Sequence, residues 1–347
     1  FAASPDFPKG SRVRVHNIEN GNFVDVVIND YGPERDKFPD RAIDLDKVAF
    51  DQIASLYDGV INISLESLDI LPDDFGNILG INELGAKTNP ELDLKAGIII
   101  NENTEDVIWE KNSTTSLPLA SLTKLVAIKT FLDTKPSLNR EVAYSIQDEE
   151  YNYEYCEKWE SARIKLNDGD VLTIEDLLYS SLVASANNTI ETLVRVSGMA
   201  RDDFIHKMNT TVQEWGAIST YFEEPTGLSP ENVSSPADYA IISKRVLTHP
   251  IIQKASTMEE YKYYTINTKE YHQVRNTNHI IKTLKYNITG SKTGYLDEAG
   301  YCLMTRIKVN DHSNIIVVTF GAESRDSSFY ETEMLIQYGI RKINKKI

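Results

Sequence analysis

The chain has 347 residues, of which 41% are hydrophobic and 25% charged, an ordinary globular composition that predicts a packed core. Its net charge of -16 argues against a nucleic-acid partner, because binding would need a basic face to replace counterions. No apolar run approaches the roughly 18 residues that would span a bilayer, and two cysteines, Cys156 and Cys302, are too few for a disulfide framework and lack zinc-ligand spacing.

Residues 1 to 66 read as a small β-rich unit. Arg12 to His16 and Phe23 to Ile28 alternate polar and apolar side chains, and Asn20-Gly21 between them is a turn signal that predicts a hairpin. Leu45 to Leu56 reads as a helix and Val60 to Leu65 as a last strand. Phe1-Ala2-Ala3-Ser4 resembles the interior of a domain, so any targeting segment is expected to lie outside the chain. Residues 67 to 85, with Leu71-Pro72-Asp73-Asp74 and several glycines, read as a linker.

From residue 86 to 347 the pattern is that of a second, larger domain. Strands are expected at Leu94 to Ile100 and Asp106 to Glu110, and a helix from Ser121 through the apolar stripe Leu125, Ile128, Phe131 and Leu132. Gln147 to Glu160 is acidic and tyrosine-rich and reads as a surface insertion. Helices are expected at Ile174 to Leu182, Thr189 to Val196, Asp202 to Trp215 and Ala237 to Leu247. Strands at Tyr261 to Ile266, Tyr301 to Lys308 and Asn314 to Phe320 precede a final helix from Phe329 to Ile343. Strands at both ends with helices between them predict an α+β fold, one antiparallel sheet built from both termini and covered by helices. Cys156 and Cys302 are expected to be separate thiols.

Three short motifs lie in order along this domain: Ser121-Leu122-Thr123-Lys124, Ser185-Ala186-Asn187 and Lys292-Thr293-Gly294. Each is weak alone, since chance supplies about one Ser-x-x-Lys in a chain this long and Ser137-Leu138-Asn139 also fits Ser-x-Asn. Together they describe a serine acyl-transfer site. A serine hydroxyl needs a neighbouring base, and residues three apart share a helix face, which brings the Lys124 amine to Ser121. Burial and a second cation, Lys292, are expected to bring Lys124 towards the range of a working base. Ser185 can relay a proton to the leaving amine, and the Asn187 side chain can hold the substrate amide. Lys292 and Thr293, read as directly preceding a strand, offer donors to a carboxylate, while Gly294 would let substrate backbone lie along the sheet edge.

On these motifs, residues 86 to 347 resemble the serine D-alanyl-D-alanine carboxypeptidases, the low-molecular-weight penicillin-binding proteins. Pro118-Leu119-Ala120-Ser121-Leu122-Thr123-Lys124 is close to that family's active-site signature. Thr226-Gly227-Leu228 with Ser234-Ser235-Pro236-Ala237-Asp238, and Gly321-Ala322-Glu323-Ser324, resemble its later segments. The resemblance implies a β-lactamase/transpeptidase-like fold, with Ser121 acylated, Lys124 its base, and Ser185, Asn187, Lys292 and Thr293 completing the site. It implies an oxyanion hole from the N–H groups of Ser121 and Tyr295. It also implies stem peptides of peptidoglycan as substrates, β-lactams as inhibitors, an extracytoplasmic location and no cofactor. Ala186 stands where the family usually has glycine. Phe329 stands where it often has a carboxylate-binding arginine, a task left to Arg325 or Arg245.

Residues 1 to 66 resemble a different family, the rare-lipoprotein-A-like double-psi β-barrels that act on glycan strands. The match runs through Ala2-Ala3-Ser4, Phe7-Pro8-Lys9-Gly10, Val13-Arg14-Val15, Asn29-Asp30-Tyr31-Gly32-Pro33 and Ile43-Asp44-Leu45. Asp30 takes the place of that family's acidic residue, but Tyr31 replaces an arginine and Ser4 a histidine. Glycan binding or a structural role is therefore expected rather than cleavage. The rivals for the larger domain are a serine β-lactamase, with Glu223 or Glu224 as a deacylating base, and a penicillin-sensing module without turnover. Glu224-Pro225-Thr226-Gly227-Leu228 lacks the Glu-x-x-Leu-Asn spacing of the first, and intact Lys124, Ser185 and Lys292 argue against the second. No Gly-x-Ser-x-Gly elbow or His-Glu-x-x-His motif supports another hydrolase class.

Overall fold

A computed structural model describes residues 1–7, 9–33, 37–38, 41–69, 90, 92–283 and 286–344, and divides the chain into two units, Phe1–Asn89 and Pro90–Ile347. In the first unit, β1 (Ala2–Ala3), β2 (Arg12–Asn17), β3 (Phe23–Asp30), β4 (Asp44–Leu45) and, after α1 (Lys47–Ile53), β5 (Ile63–Asp69) form one sheet, ordered β4-β1-β3-β2-β5. The expected hairpin is present, with His16 opposite Phe23 and Gly21 in the turn at φ +76°. Alternation sends Val13, Val15, Val24, Val26 and Ile28 into one core with Ala49 and Ile53 of α1.

Helix α1 is shorter than the expected Leu45 to Leu56. Asp46 caps it by accepting the Ala49 N–H at 2.8 Å, while Leu45 pairs in β4 and Ala54 is already extended. Strand β5 starts at Ile63 rather than Val60 and continues to Asp69, so residues 67 to 69 of the expected linker belong to a strand. The rest of that linker, and Pro8 of the barrel resemblance, lie outside the described residues.

The second unit opens with β6 (Ala96–Asn101), β7 (Val107–Lys111), β8 (Leu117–Pro118), a 3-10 turn Ala120–Leu122 and α2 (Thr123–Leu132). After β9 (Glu141–Ala143), a 3-10 helix Ile146–Glu154 and β10 (Val171–Thr173) come α3 (Ile174–Val183), α4 (Asn187–Val196) and α5 (Arg201–Glu214). Then follow β11 (Val233–Ser234), α6 (Pro236–Val246), α7 (Pro250–Thr257) and the hairpin β12 (Glu260–Tyr264) with β13 (Tyr271–Arg275). The chain closes with β14 (Ile288–Leu296), β15 (Gly300–Asn310), β16 (Ser313–Ala322) and α8 (Arg325–Asn344).

The main sheet is antiparallel and ordered β14-β15-β16-β6-β7, so strands from both ends of the unit lie side by side, as the α+β reading expects. Its residues alternate between two cores. Ile98, Met304, Ile316, Val318 and Phe320 face the helical core built around α2, α3 and α6. Ile99, Leu303, Ile315 and Val317 face Leu335, Ile336 and Tyr338 of α8. This alternation sets which face of β14 is turned towards α2, and so where the chemistry sits.

Four expectations need correction. Lys292, Thr293 and Gly294 do not precede a strand but lie within β14, whose glycines obscured the period-two pattern. The strand expected to end at Ile266 ends at Tyr264 and pairs with β13, which the polar run Tyr271-His272-Gln273 concealed. Helix α8 starts at Arg325 rather than Phe329. The segment Gln147 to Glu160 is not simply a surface insertion, since Asp148, Glu149 and Asn152 are buried. Glu149 accepts from Tyr144 at 2.5 Å and from Arg163 at 3.0 Å, and Asp148 accepts from Arg195 at 2.7 Å. Paired in this way, buried acids escape the desolvation cost that makes such a sequence look solvated.

Candidate active site

Ser121 does not open the helix itself but sits in the 3-10 turn just before α2. Ala120 ahead of it is held at φ +48°, a conformation that costs a non-glycine residue roughly 1–2 kcal/mol. Surrounding contacts impose it. The Tyr239 hydroxyl of α6 donates to the Leu122 carbonyl at 2.7 Å, Leu119 N–H donates to Asn232 O at 3.0 Å, and Thr123 Oγ1 closes on Ala120 O at 2.8 Å. The result is a rigid turn that presents a half-buried hydroxyl.

Lys124, one turn on, is fully buried. Its Nζ lies 2.7 Å from Ser121 Oγ and donates to the Thr226 carbonyl at 2.5 Å. Burial brings its pKa down to about 7, against an upward pull from the Glu224 carboxylate. A neutral amine anchored on a carbonyl has its lone pair free for the serine proton. Burial is the main cause of the lowering, and Lys292, buried beside Lys124, is itself lowered by burial and then by repulsion from Lys124, so the two cations disfavour each other's charge.

Ser185 joins α3 to α4 in a left-handed conformation, φ +60°, that turns its hydroxyl back towards the sheet. Lys292 Nζ donates to Ser185 Oγ at 2.8 Å and to the Thr293 carbonyl at 2.7 Å. Two serine–lysine pairs therefore stand together, one from the helix side and one from β14. Asn187 begins α4, buried, with Nδ2 donating to Ser161 Oγ at 3.0 Å. Its Oδ1 has no hydrogen-bond partner among the described residues and is shut off from solvent, and Asn187 itself does not line the cleft described below.

A cleft of 410 Å³ connects these groups, lined by Ser121, Ser185, Thr293, Gly294, Tyr295, Glu160 and Arg325 among others. Thr293 Oγ1 is 2.5 Å from Thr277 Oγ1, a second hydroxyl on the cleft wall that no sequence motif announced. Gly294 lines the cleft and also packs closely behind it. A Cβ there would lie 2.9 Å from Leu119 O and 3.1 Å from Ala120 Cβ, so glycine lets β14 press against the nucleophile's turn. Tyr295, near the end of β14, is half exposed and packs on Tyr301, ring centroids 4.3 Å apart and planes tilted by 32°. Arg325 reaches the cleft from the first turn of α8, its Nη2 3.0 Å from His279 Nε2 and its guanidinium over the Phe329 ring. Arg245, the other candidate, is an exposed residue of α6 that does not line the cleft.

Glu224 does not serve the site as a free base. It is 1% exposed, and its oxygens accept from Thr226, Gly227, Leu228, Ser229 and Asn232 at 2.5 to 3.3 Å. Every contact is a donor aimed at it, leaving no room to orient a water. Cys302 lines the cleft and Cys156 lies in the segment before it; both are free thiols.

A family model described as D-alanyl-D-alanine carboxypeptidase matches residues 84–324. The chain belongs to that family. The D-alanyl-D-alanine carboxypeptidase DacF of Bacillus subtilis is 30% identical over 244 residues, which are 70% of this chain and 61% of that protein. A D-alanyl-D-alanine endopeptidase of Escherichia coli is 30% identical over 232 residues, 67% of this chain and 72% of its own length. The chain thus spans about three fifths of the first relative. The Streptomyces K15 DD-transpeptidase superposes with a TM-score of 0.68 at 22% identity, covering 73% of this chain and 99% of that one, and so shares the fold. A second family model, described as lytic transglycolase, matches residues 1–65.

Proposed function

We propose that the chain is a serine D-alanyl-D-alanine carboxypeptidase, working outside the cytoplasm, that removes the terminal D-alanine of peptidoglycan stem peptides and is inhibited by penicillins. The observation that carries this is the 2.7 Å approach of a fully buried Lys124 amine to Ser121 Oγ, with the Lys292–Ser185 pair beside it. In this reading Lys124 takes the Ser121 proton as Oγ attacks the penultimate carbonyl. The N–H groups of Ser121 and Tyr295 receive the oxyanion, and Ser185, linked to Lys292, passes a proton to the departing amine. Asn187 holds the acyl-side amide. Thr293 and Arg325 receive the free carboxylate, where a planar guanidinium suits a carboxylate pair. Water then releases the acyl group through the same base. A β-lactam keeps its leaving group tethered, so the space for water stays blocked and the adduct persists. The occupied Glu224 supports this reading over a β-lactamase.

Incubation with a penicillin followed by peptide mapping is expected to place a single adduct on Ser121. An adduct on another residue, or none from a preparation that releases D-alanine, would exclude the assignment.

For the first unit we propose peptidoglycan glycan binding without cleavage. A glycosidic general acid must hold its proton near neutrality, which requires a raised pKa. Asp30 is the opposite case: the Tyr31 N–H and then Lys9, 3.3 Å away, hold its exposed carboxyl below the usual range. Glycan strands stripped of stem peptides should bind the protein and yield no anhydro-sugar products. Products that disappear in Asp30→Asn would show the unit to be lytic.

A further inference from the structure

Of the buried carboxylates that the acyl-transfer chemistry does not use, Glu224 is one that acts on the Lys124 amine. The Glu224 carboxylate lies under the loop Thr226–Ser229, and its Oε2 accepts Thr226 N–H at 2.6 Å and Thr226 Oγ1 at 2.5 Å. Its Oε1 accepts the N–H groups of Gly227 at 2.5 Å, Leu228 at 2.8 Å and Ser229 at 3.3 Å, and Asn232 Nδ2 at 2.7 Å. The loop so gathered turns the Thr226 carbonyl onto Lys124 Nζ and brings Gly227 against Ala120 and Ser121. Asn232 extends the link, since Nδ2 also donates to Thr123 Oγ1 at 3.1 Å. We propose that Glu224 is a positioning residue for acylation, its carboxylate folding the Thr226–Ser229 backbone so that the Thr226 carbonyl anchors the Lys124 amine against Ser121.

Only an acceptor on both oxygens fits here. A glutamine would set an N–H₂ group against backbone N–H groups on one side, loosening the Thr226 carbonyl. The anion acts on Lys124 through space as well. The ionisable groups that face the amine are Lys292 from β14 and Glu224 from the loop, with the neutral Ser121 hydroxyl on its own turn. Glu224 alone favours the ammonium form, so without its charge Lys124 loses its proton at lower pH. The base is active when neutral, and the rise of acylation with pH must therefore move down.

This inference rests on Lys124 being the base of Ser121, and the test separates the two. Acylation by a fluorescent penicillin is followed across the pH range for the protein, Glu224→Gln, Glu224→Asp and Lys124→Ala. Glu224→Gln is expected to slow acylation at least about 10-fold and to shift the acidic limb to lower pH. Glu224→Asp keeps the charge, so its limb should stay in place while its rate falls several-fold. The inference is overturned if Glu224→Gln acylates at the parent rate, or if its limb is unmoved. It is also overturned if only the titratable fraction of molecules drops, with the survivors at the parent rate. Should Glu224→Gln fail to fold, Glu224→Asp decides, and a parent rate there is equally fatal. Rapid acylation of Lys124→Ala would instead remove the base assignment itself.

Discussion

Replacing Lys124 with alanine is expected to slow penicillin acylation and D-alanine release together, by roughly 10²–10⁴-fold. In the proposed mechanism the same amine serves both half-reactions, so neither should be spared. No other side chain can take over: Lys292 is already bonded to Ser185 and the Thr293 carbonyl, and Glu224 is surrounded by donors. The pH profile carries a second signature. Lys124 is brought to about 7 by burial, so acylation should rise with pH through that region as the ammonium loses its proton. In Lys124→Ala that limb should vanish, leaving a residual rate that depends on pH only through the reagent. A melting temperature must accompany the rate, because the substitution empties the space of one of the largest fully buried side chains and leaves the Thr226 carbonyl without its donor. Stopped-flow acylation and a coupled D-alanine assay check both halves, and loss of only one would break the shared-base mechanism.

Gly227→Ala should cost at least about 10²-fold in acylation, although the residue carries no side chain to the cleft. Its φ of +86° already strains any other residue, and its Cβ would stand 2.0 Å from Ala120 O and 2.8 Å from Ser121 N. Both obstacles are backbone, so the turn that holds the nucleophile must move. Gly198 is the matched control, with the same φ of +86° and nothing within 4 Å of a Cβ. Gly198→Ala should lose about 1 kcal/mol of stability through strain and keep its acylation rate. Comparing melting temperature and acylation in the two variants separates conformational strain from displacement of Ser121. Equal acylation in both would mean that the loop does not set the nucleophile's position.

How much of this was visible beforehand depended on the range over which each requirement acts. Ser121 and Lys124 are three residues apart on one turn, so their pairing is written locally. Ser185 and Lys292 are recognisable as motifs, but their direct bond is a product of β14 meeting the α3–α4 junction, and Asn187's attachment to Ser161 is one of α4 meeting the loop before β10. Strand β14 was misplaced because Gly290 and Gly294 interrupt its pattern. A Cβ on each would meet a distant neighbour, Leu247 at 2.4 Å and Leu119 O at 2.9 Å, that the local sequence does not disclose. Glu224 was weighed only as a catalytic base, since its actual partners are backbone N–H groups and no composition rule marks those. Thr277 had no signal at all. The first unit's hairpin was plain because Asn20-Gly21 demands it, whereas the extent of α1 turned on a cap at Asp46.

The arrangement of the main sheet has a consequence for how the enzyme comes into being. Strand β16, near the end of the chain, pairs with β6, near the start of the second unit, and β14 presses its glycine on the turn before α2. A ribosome delivers these partners far apart in time, and contacts of such high sequence separation form late and slowly. A partly synthesised chain can hold α2 with Ser121 and Lys124 but lacks the Lys292 that meets Ser185. If Ser121 is acylated as proposed, the centre should stay silent until the C-terminal strands have emerged and docked, and a chain truncated before β16 should take up no penicillin.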